Sequence, residues 1–175
     1  MSPVTIARPA KTEYAPYFGT YVDKVPDGDI LSLLSRQIDE TVKTLGKLSD
    51  EQASFRYAPG KWSIKEIVGH ISDTERIFVY RALCFARSEK QSLPGFDEND
   101  YVAAASFDAR SLADHLEELR AVRAATLKFF GALNAEELLR TGTANQKPYT
   151  VRAVPYILAG HERHHLGVVR EKYLK

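Results

Sequence analysis

The chain has 175 residues, enough for one domain whose core buries well over half of the surface that the unfolded chain exposes. Its 24 basic and 23 acidic residues are dispersed and give a net charge of +1, which argues against nucleic acid or a membrane surface as the partner. Cys84 is the only cysteine, so neither an internal disulfide nor a cysteine-based zinc cluster can form, and we expect a cytoplasmic protein.

Residues 1–28 are predicted to form an extended arm that packs on the rest of the chain. The arm contains four prolines and the aromatic residues Tyr14, Tyr17, Phe18 and Tyr21, which we expect to cover the body. The first residues lack the apolar core of a signal peptide, and no apolar run approaches the roughly 18 residues of a membrane span. We therefore predict a single domain over residues 1–175.

Four segments have apolar residues at the three- and four-residue steps that are typical of amphipathic helices. The predicted spans are 29–49, 63–87, 111–133 and 150–173. Ser63 and Glu66 form a capping-box pattern at the start of the second helix. The first helix is capped by Asp27 or Asp29 and the third by Asp108 or Ser111.

The absence of strand periodicity makes an all-α four-helix bundle the predicted architecture. Two connections, 88–108 and 134–149, are longer than an up-and-down bundle needs, and a short helical turn should start at Asn134. Connections of this length carry functional residues, hold small elements or cross over the bundle. If helix directions alternate, the second and fourth helices run parallel.

His161 and His165 lie four residues apart in the last helix, so both rings can turn toward one ion. They fall in the middle of the apolar stripe, where imidazoles need a ligand or a full set of hydrogen bonds. Ordinary core histidines are the alternative. A zinc-like ion usually takes at least three protein ligands. His70, on the flank of the second helix, reaches a similar height if the two helices are parallel, which makes it the candidate third ligand.

Two further residues near these histidines are candidates for an outer role. Asp73 can accept the second ring N–H of His70, as carboxylates next to metal ligands do, or it is a solvated carboxylate. His164 is either an acid or base beside the ligands or a surface residue.

Three other polar side chains are predicted to have no part in the chemistry. Glu75 falls inside the apolar stripe, where an unpaired charge is expensive, so we expect an arginine partner across the bundle. His115 stands among charged residues and is predicted to be exposed to solvent. Cys84 lies on a flank and is predicted to be inert.

Two motifs carry a resemblance to a known family. They read Lys61-Trp62-Ser63-Ile-Lys-Glu66-Ile-Val-Gly-His70-Ile-Ser-Asp73 and His161-Glu-Arg-His164-His165. The combination resembles the DinB superfamily, in particular its YfiT-like branch of metal-dependent enzymes, over about residues 28–174. Pro94-Gly-Phe-Asp97-Glu98 is similar to a loop motif of that branch. The resemblance implies a four-helix bundle with a divalent metal on His70, His161 and His165, and a homodimer.

Three neutral imidazoles leave the charge of a divalent ion uncancelled and favour an anionic fourth ligand. A hydroxide there would make the protein a hydrolase of small molecules. A substrate thiolate there would make it an S-transferase, which joins a small thiol to an electrophile. The resemblance implies this reaction, because some members of the branch are linked to S-transfer with bacillithiol or mycothiol. We favour the transferase because the site has no obvious general base. A non-enzymatic, stress-associated metal-binding protein is the third alternative. Zinc is the expected metal, with nickel as a common substitute.

Overall fold

The computed structural model describes residues 5–174. Its helices, in chain order, are α1 (Gly19–Val22), α2 (Ile30–Leu45), α3 (Asp50–Ser54), α4 (Ile64–Ala86), α5 (Glu98–Ala104), α6 (Leu112–Gly131), α7 (Ala135–Leu139) and α8 (Ala153–Lys172). Within the described residues, the strands are β1 (Thr141–Ala144) and β2 (Lys147–Thr150), and 3-10 turns lie at Lys11–Glu13, Pro16–Phe18 and Phe107–Ala109.

Side-chain caps fix where the long helices begin. The Asp29 carboxylate accepts from the Ser32 amide at 2.8 Å at the start of α2. The predicted capping box of α4 is confirmed, because Ser63 Oγ accepts from the Glu66 amide at 3.1 Å and the Glu66 carboxylate accepts from the Ser63 amide at 2.7 Å. Ser111 caps α6. Each of these caps satisfies an amide that has no partner within its helix.

The four long helices α2, α4, α6 and α8 form the predicted bundle, in which α6 and α8 each pack against both α2 and α4. Buried apolar side chains form two clusters, one around Ile67, Ile71 and Leu116 and the other around Phe78 and Ile157. The predicted all-α fold is therefore confirmed for the body. No helix within residues 5–174 has the length and hydropathy to span a bilayer.

The directions of the four long helices do not alternate, so the condition under which the second and fourth helices would be parallel is not met. Ser63 Oγ donates to Asp108 Oδ1 at 2.7 Å just before α6, and at the other end of the bundle Arg87 pairs with Glu137 just after it. Helices α4 and α6 therefore run parallel. The Tyr173 hydroxyl, just after α8, donates to the Trp62 carbonyl just before α4, so α4 and α8 are antiparallel.

The connection between α4 and α6 accounts for this topology. It spans residues 87–111, which is long enough to return along the roughly 34 Å of a 23-residue helix before α6 begins. His70 and His161 still reach similar heights, because one lies near the start of α4 and the other near the middle of the antiparallel α8.

Strands β1 and β2 are elements that the sequence analysis did not predict. They pair antiparallel, with Thr141 opposite Thr150, through a turn in which Asn145 and Gln146 both have positive φ, 50° and 58°. Two central residues with positive φ make the tight turn that fits the strand twist. Leu93 adds to the hairpin, because its amide donates to Thr143 O at 2.9 Å. The two long connections therefore close one end of the bundle together.

The N-terminal arm packs on the bundle, but it is not extended throughout. After residue 10 it forms two 3-10 turns and α1, and it buries Tyr14 and Phe18. Gly160 allows α1 to approach α8, since a Cβ there would lie 2.0 Å from the Tyr21 carbonyl oxygen. Residues 1–4 of the predicted arm lie outside the described residues.

Candidate metal centre

Three histidine rings meet where α4 faces α8. The Nε2 atoms of His70 and His161 are 3.0 Å apart, and those of His161 and His165 are 3.1 Å apart. One ligand atom from each ring lies within 4.8 Å of the other two. We call these three residues the histidine cluster. The structure thus brings together all three side chains that the sequence analysis named as ligands, and His70 is buried instead of lying on a flank.

The donor set fits a divalent metal ion. With metal–nitrogen distances of about 2.0 to 2.1 Å, the nitrogens of a tetrahedral site lie about 3.3 Å apart, close to the observed separations. Hydrogen bonds alone account for the arrangement poorly. A neutral imidazole nitrogen has one lone pair in the ring plane, so His161 Nε2 cannot accept from both neighbours with good geometry. Three ring nitrogens grouped within 4.8 Å of one another are instead the arrangement that an ion requires.

The three rings of the cluster are held in their neutral form. Burial lowers the pKa of His70 to about 4. Burial, followed by the charges of His70 and His164, lowers the pKa of His165 to about 3. The pKa of His161 is lowered well below its usual value, first by burial and then by His165 and His70. Desolvation disfavours the charged ring, so at neutral pH no proton competes for the ring lone pairs.

Aromatic rings and close helix contacts fix the positions of the imidazoles. The Trp62 ring lies 4.8 Å from the His70 ring and stacks at 6.2 Å on His165, and the Tyr21 ring meets His161 edge-on at 5.4 Å. Gly69 precedes His70, and a Cβ there would lie 2.5 Å from the Phe107 ring. Small residues beside the ligands therefore let neighbouring segments close over the cluster.

A second buried polar cluster lies next to the histidines. Arg123 donates from Nε and a terminal nitrogen to both oxygens of Glu75 at 2.9 and 2.8 Å, and to Glu162 at 2.8 Å. We call Glu75, Arg123 and Glu162 the arginine cluster. Glu162 also accepts from Gln37 at 2.6 Å and from Thr41 at 2.5 Å. These bonds fix the rotation of α8 that turns His161 and His165 toward the cavity.

The arginine cluster confirms the predicted pairing of Glu75 with an arginine across the bundle. The sequence analysis did not identify Glu162 or name Arg123 as the partner. Glu162 lies four residues from both Leu158 and Leu166, which are buried on the same face of the helix, so its burial was readable from the helical pattern.

The structure does not pair Asp73 with His70. The Asp73 carboxylate lies 3.4 Å from Arg76 NH1, and burial raises its pKa. The group opposite His70 Nδ1 is the Thr74 hydroxyl, at 3.5 Å. Positions 73 and 74 both lie about one helical turn beyond position 70, and the Asp73 carboxylate faces Arg76 instead of the ring.

His164 is exposed at the rim of the cavity. Its ring lies 5.2 Å from the His165 ring and 5.9 Å from that of Tyr21, and burial, followed by Lys24, lowers its pKa. It is thus close to the cluster and open to solvent, which fits either role that the sequence analysis considered.

The prediction that His115 is exposed to solvent is wrong. Its side chain is buried, and Nε2 donates to the Phe107 carbonyl at 2.8 Å. The charged neighbours Asp114 and Glu117 point outward, while His115 lies on the flank nearest the apolar stripe of α6.

The histidine cluster forms part of the wall of a cavity of about 400 Å³. Aromatic side chains make up much of its remaining lining: Tyr17, Phe18, Tyr21, Trp62, Phe78 and Phe96. The charged or polar lining residues include Arg81, Glu98 and Lys147. This volume lies within the range of small-molecule sites, and all three histidines are among the residues that line it.

Comparisons with known proteins agree with this site. The chain is 25% identical over 154 residues to the Oceanobacillus iheyensis protein named "Putative metal-dependent hydrolase OB0413", covering 85% of this chain and 87% of that protein. The fold matches that of YfiT from Bacillus subtilis, described as "a probable metal-dependent hydrolase with an unusual four-helix bundle topology". The TM-score is 0.75 at 16% identity, covering 96% of this chain and 95% of YfiT. The family model of the DinB superfamily matches residues 33–169. The chain belongs to the DinB superfamily.

Proposed function

We propose that this protein is a metal-dependent hydrolase of small molecules in which His70, His161 and His165 hold a divalent ion. The observation that carries the proposal is the convergence of their Nε2 atoms at the wall of a cavity large enough for a substrate. The names of the two relatives support hydrolysis over other metal chemistry. Imidazole ligands suit zinc, our default, and also nickel.

When bound, a divalent ion would act as a Lewis acid that lowers the pKa of a coordinated water or thiol. The chain's own residues prepare the site for it. Burial keeps the three rings neutral, and Trp62 and Tyr21 pack around them and limit the access of bulk water. His164, at the rim, is the group placed to exchange protons with solvent, and we retain it as the proposed acid or base. Asp73 pairs with Arg76, so any influence on His70 would be indirect.

Thiol S-transfer is the second candidate, and one observation favours it. Within residues 5–174, the hydrogen bonds and ring contacts of the three imidazoles are made with other rings and the Thr74 hydroxyl, and none is made with a carboxylate that could act as a general base. Because a metal-activated thiolate needs no such base, the same site could join a small thiol to an electrophile.

The first test is metal content. Protein purified without a nickel column is expected to hold about one ion per chain, and His165→Ala is expected to lose it. His164→Ala is the matched control, because it removes the neighbouring ring, which lies at the rim. Retention of the full metal content by His165→Ala would remove that residue from the site.

The second test separates the reactions. Metal-loaded protein is assayed on ester and amide panels without thiol, and on a chlorinated electrophile with small thiols. Thiol-independent turnover that His165→Ala loses supports hydrolysis, and thiol-dependent turnover supports transfer. Metal binding without either activity would leave a non-enzymatic metal-binding protein. The predicted homodimer and cytoplasmic location are checked separately, by light scattering and by cell fractionation.

A further inference from the structure

Arg81 is a buried cation for which the described part of the chain offers no ion-pair partner. Its side chain is 5% exposed, although a guanidinium stays charged at any ordinary pH. It donates to the Pro94 carbonyl at 2.7 Å and lies over the rings of Phe78 and Phe96, 5.2 and 5.7 Å from their centroids. Within residues 5–174, no carboxylate forms an ion pair with it, whereas Arg123, which is 1% exposed, pairs with two.

The polar groups around Arg81 leave its charge uncompensated. Burial raises the pKa of the neighbouring Tyr149 to about 12, and the positive charge of Arg81 opposes that shift, so the phenol stays neutral. Glu98 is the acidic residue of the cavity lining, but it is exposed and makes no ion pair with Arg81. Lys147, a second cation, also lines the cavity. A buried charge without a counter-charge is unfavourable unless a ligand provides one.

Arg81 faces the same cavity as the histidine cluster. It lies eleven residues after His70 on α4, which is about three turns, so both side chains project from one face of the helix and line the cavity with Thr74 between them. The axial separation of the two residues is about 16 Å. A ligand of extended shape can therefore reach the metal with one end and the guanidinium with the other, along a wall of aromatic rings.

We propose that Arg81 binds an acidic group of the substrate, so that the protein acts on extended small molecules with a carboxylate or phosphate at the end remote from the reacting bond. This inference rests on the proposed function, because only that function makes the bound molecule a substrate. The planar guanidinium can donate two parallel hydrogen bonds to either group. The aromatic lining then favours an apolar middle section between that acid and the reacting end.

The test measures binding by the fluorescence of Trp62, which is the only tryptophan and lines the cavity. The probes are phenylbutyrate, phenylbutyl phosphate and the neutral phenylbutyramide, which share one apolar section. The full chain is used both metal-loaded and after chelation, so that coordination of an acid by the metal is separated from binding at Arg81. Wild-type protein is expected to bind at least one anion about tenfold or more tightly than the amide in both states, because a charge-assisted pair supplies that difference.

Two cavity variants and one control locate the preference. Arg81→Gln keeps a donor for the Pro94 carbonyl but has no charge, and it is expected to bind acid and amide alike. Lys147→Met is expected to keep most of the preference. Arg87→Gln is the matched control at the same end of α4, because Arg87 pairs with Glu137 outside the cavity lining. If Arg81→Gln fails to fold, Arg81→Met replaces it.

Equal binding of acid and amide by wild-type protein would overturn the proposal. So would a preference that survives in Arg81→Gln or is lost in Lys147→Met, since the anion would then bind elsewhere. Failure of the proposed metal chemistry is distinguishable, because it would appear as absent metal or absent turnover while the chelated protein still discriminates acid from amide. The relative affinities of phenylbutyrate and phenylbutyl phosphate show whether Arg81 binds a carboxylate or a phosphate more tightly.

Discussion

The bundle contains two buried polar clusters that differ in how completely their groups are partnered. In the arginine cluster, the guanidinium meets two carboxylates and the Leu34 carbonyl, and Glu162 receives two further hydrogen bonds. In the histidine cluster, three Nε2 atoms face each other and the cavity, with no proton donor that could satisfy all of them. Glu162 directly follows His161, so the two clusters are adjacent on one helix.

The difference shows how burial separates structure from function in this protein. A closed network of charges satisfies itself and specifies how the helices fit together. Three buried ring nitrogens that face one another without hydrogen-bond donors are stabilised by a bound ligand, so they mark a candidate site. Arg81 belongs with the histidine cluster in this respect, since its charge also lacks a partner and borders the cavity.

The largest expected effect comes from opening the closed cluster. Arg123→Met would leave Glu75 and Glu162 buried without their cation, and we expect the free energy of unfolding to fall by about 3 to 5 kcal/mol. Urea unfolding at neutral pH measures it. Arg120→Met is the matched control on the same helix, because Arg120 is exposed, pairs with Asp39 at 2.8 Å and should cost at most about 1 kcal/mol. If Arg123→Met and Arg120→Met lost similar amounts of unfolding free energy, the buried arginine cluster would stabilise the fold no more than an exposed ion pair does.

The open cluster should make the metal-free protein sensitive to acid. The folded-state pKa values of His70 and His165 are about 4 and about 3, below the value of about 6.5 in the unfolded chain. Below pH 6.5 the unfolded chain therefore binds protons that the folded protein does not, and stability falls as the pH falls toward 4. Each histidine contributes up to about 1.4 kcal/mol per pH unit, or about 3 kcal/mol for His70 over this interval.

Urea unfolding of chelated protein at a series of pH values measures this slope. His70→Ala should give a shallower slope between pH 6.5 and 4, because one depressed histidine is gone. His164→Ala should follow the wild type closely, since that ring is mostly exposed. Parallel curves for wild type and His70→Ala would show that His70 does not titrate as its burial implies.

Metal binding to the histidine cluster should raise the free energy of unfolding by somewhat less than the roughly 3 kcal/mol expected for the titration of His70. An ion that binds the folded chain alone adds about 2.7 kcal/mol at a free concentration of 100 times its dissociation constant. Thermal or urea unfolding with increasing zinc should follow that relation in wild type and in His164→Ala. His161→Ala should gain nothing from zinc. A gain of wild-type size in His161→Ala would place the stabilising ion elsewhere.

Most of the fold could be predicted from local signals in the sequence. Caps such as Asp29 and Ser63 act on the amides of the next turn, so their effect is visible within four residues of chain. Helix direction is not local, because it depends on where the connection 87–111 leads, and no spacing of apolar residues encodes that path. The hairpin was missed for a related reason, since four-residue strands are too short to show alternation.

In the candidate site, too, the features that depend on local spacing could be predicted and those that depend on tertiary packing could not. The spacing of His161 and His165 identified a pair, the expected height match made His70 the candidate third ligand, and the family resemblance implied the same residue, which the structure places beside them. The expected height match assumed parallel helices, yet the residues meet on antiparallel ones. Tyr21 reaches the cavity only through tertiary packing, whereas helical spacing already places Arg81 on the same face as His70, although it does not show the cavity beside them. His115 was misjudged because charged sequence neighbours were taken for its surroundings.

His115 provides the smallest and most specific test of the comparison between the arginine cluster and the histidine cluster. It is a buried histidine that belongs to neither cluster and does not line the cavity. Its Nε2–H bond to the Phe107 carbonyl is structural, so His115→Phe should leave that carbonyl without its donor and cost about 1 to 2 kcal/mol of unfolding free energy. Glu117→Ala, exposed on the same helix, should change stability by no more than about 0.5 kcal/mol. Zinc affinity should be unchanged in both variants. A weaker zinc affinity in His115→Phe alone would mean that Phe107, which packs on Gly69 beside His70, transmits its position to the histidine cluster.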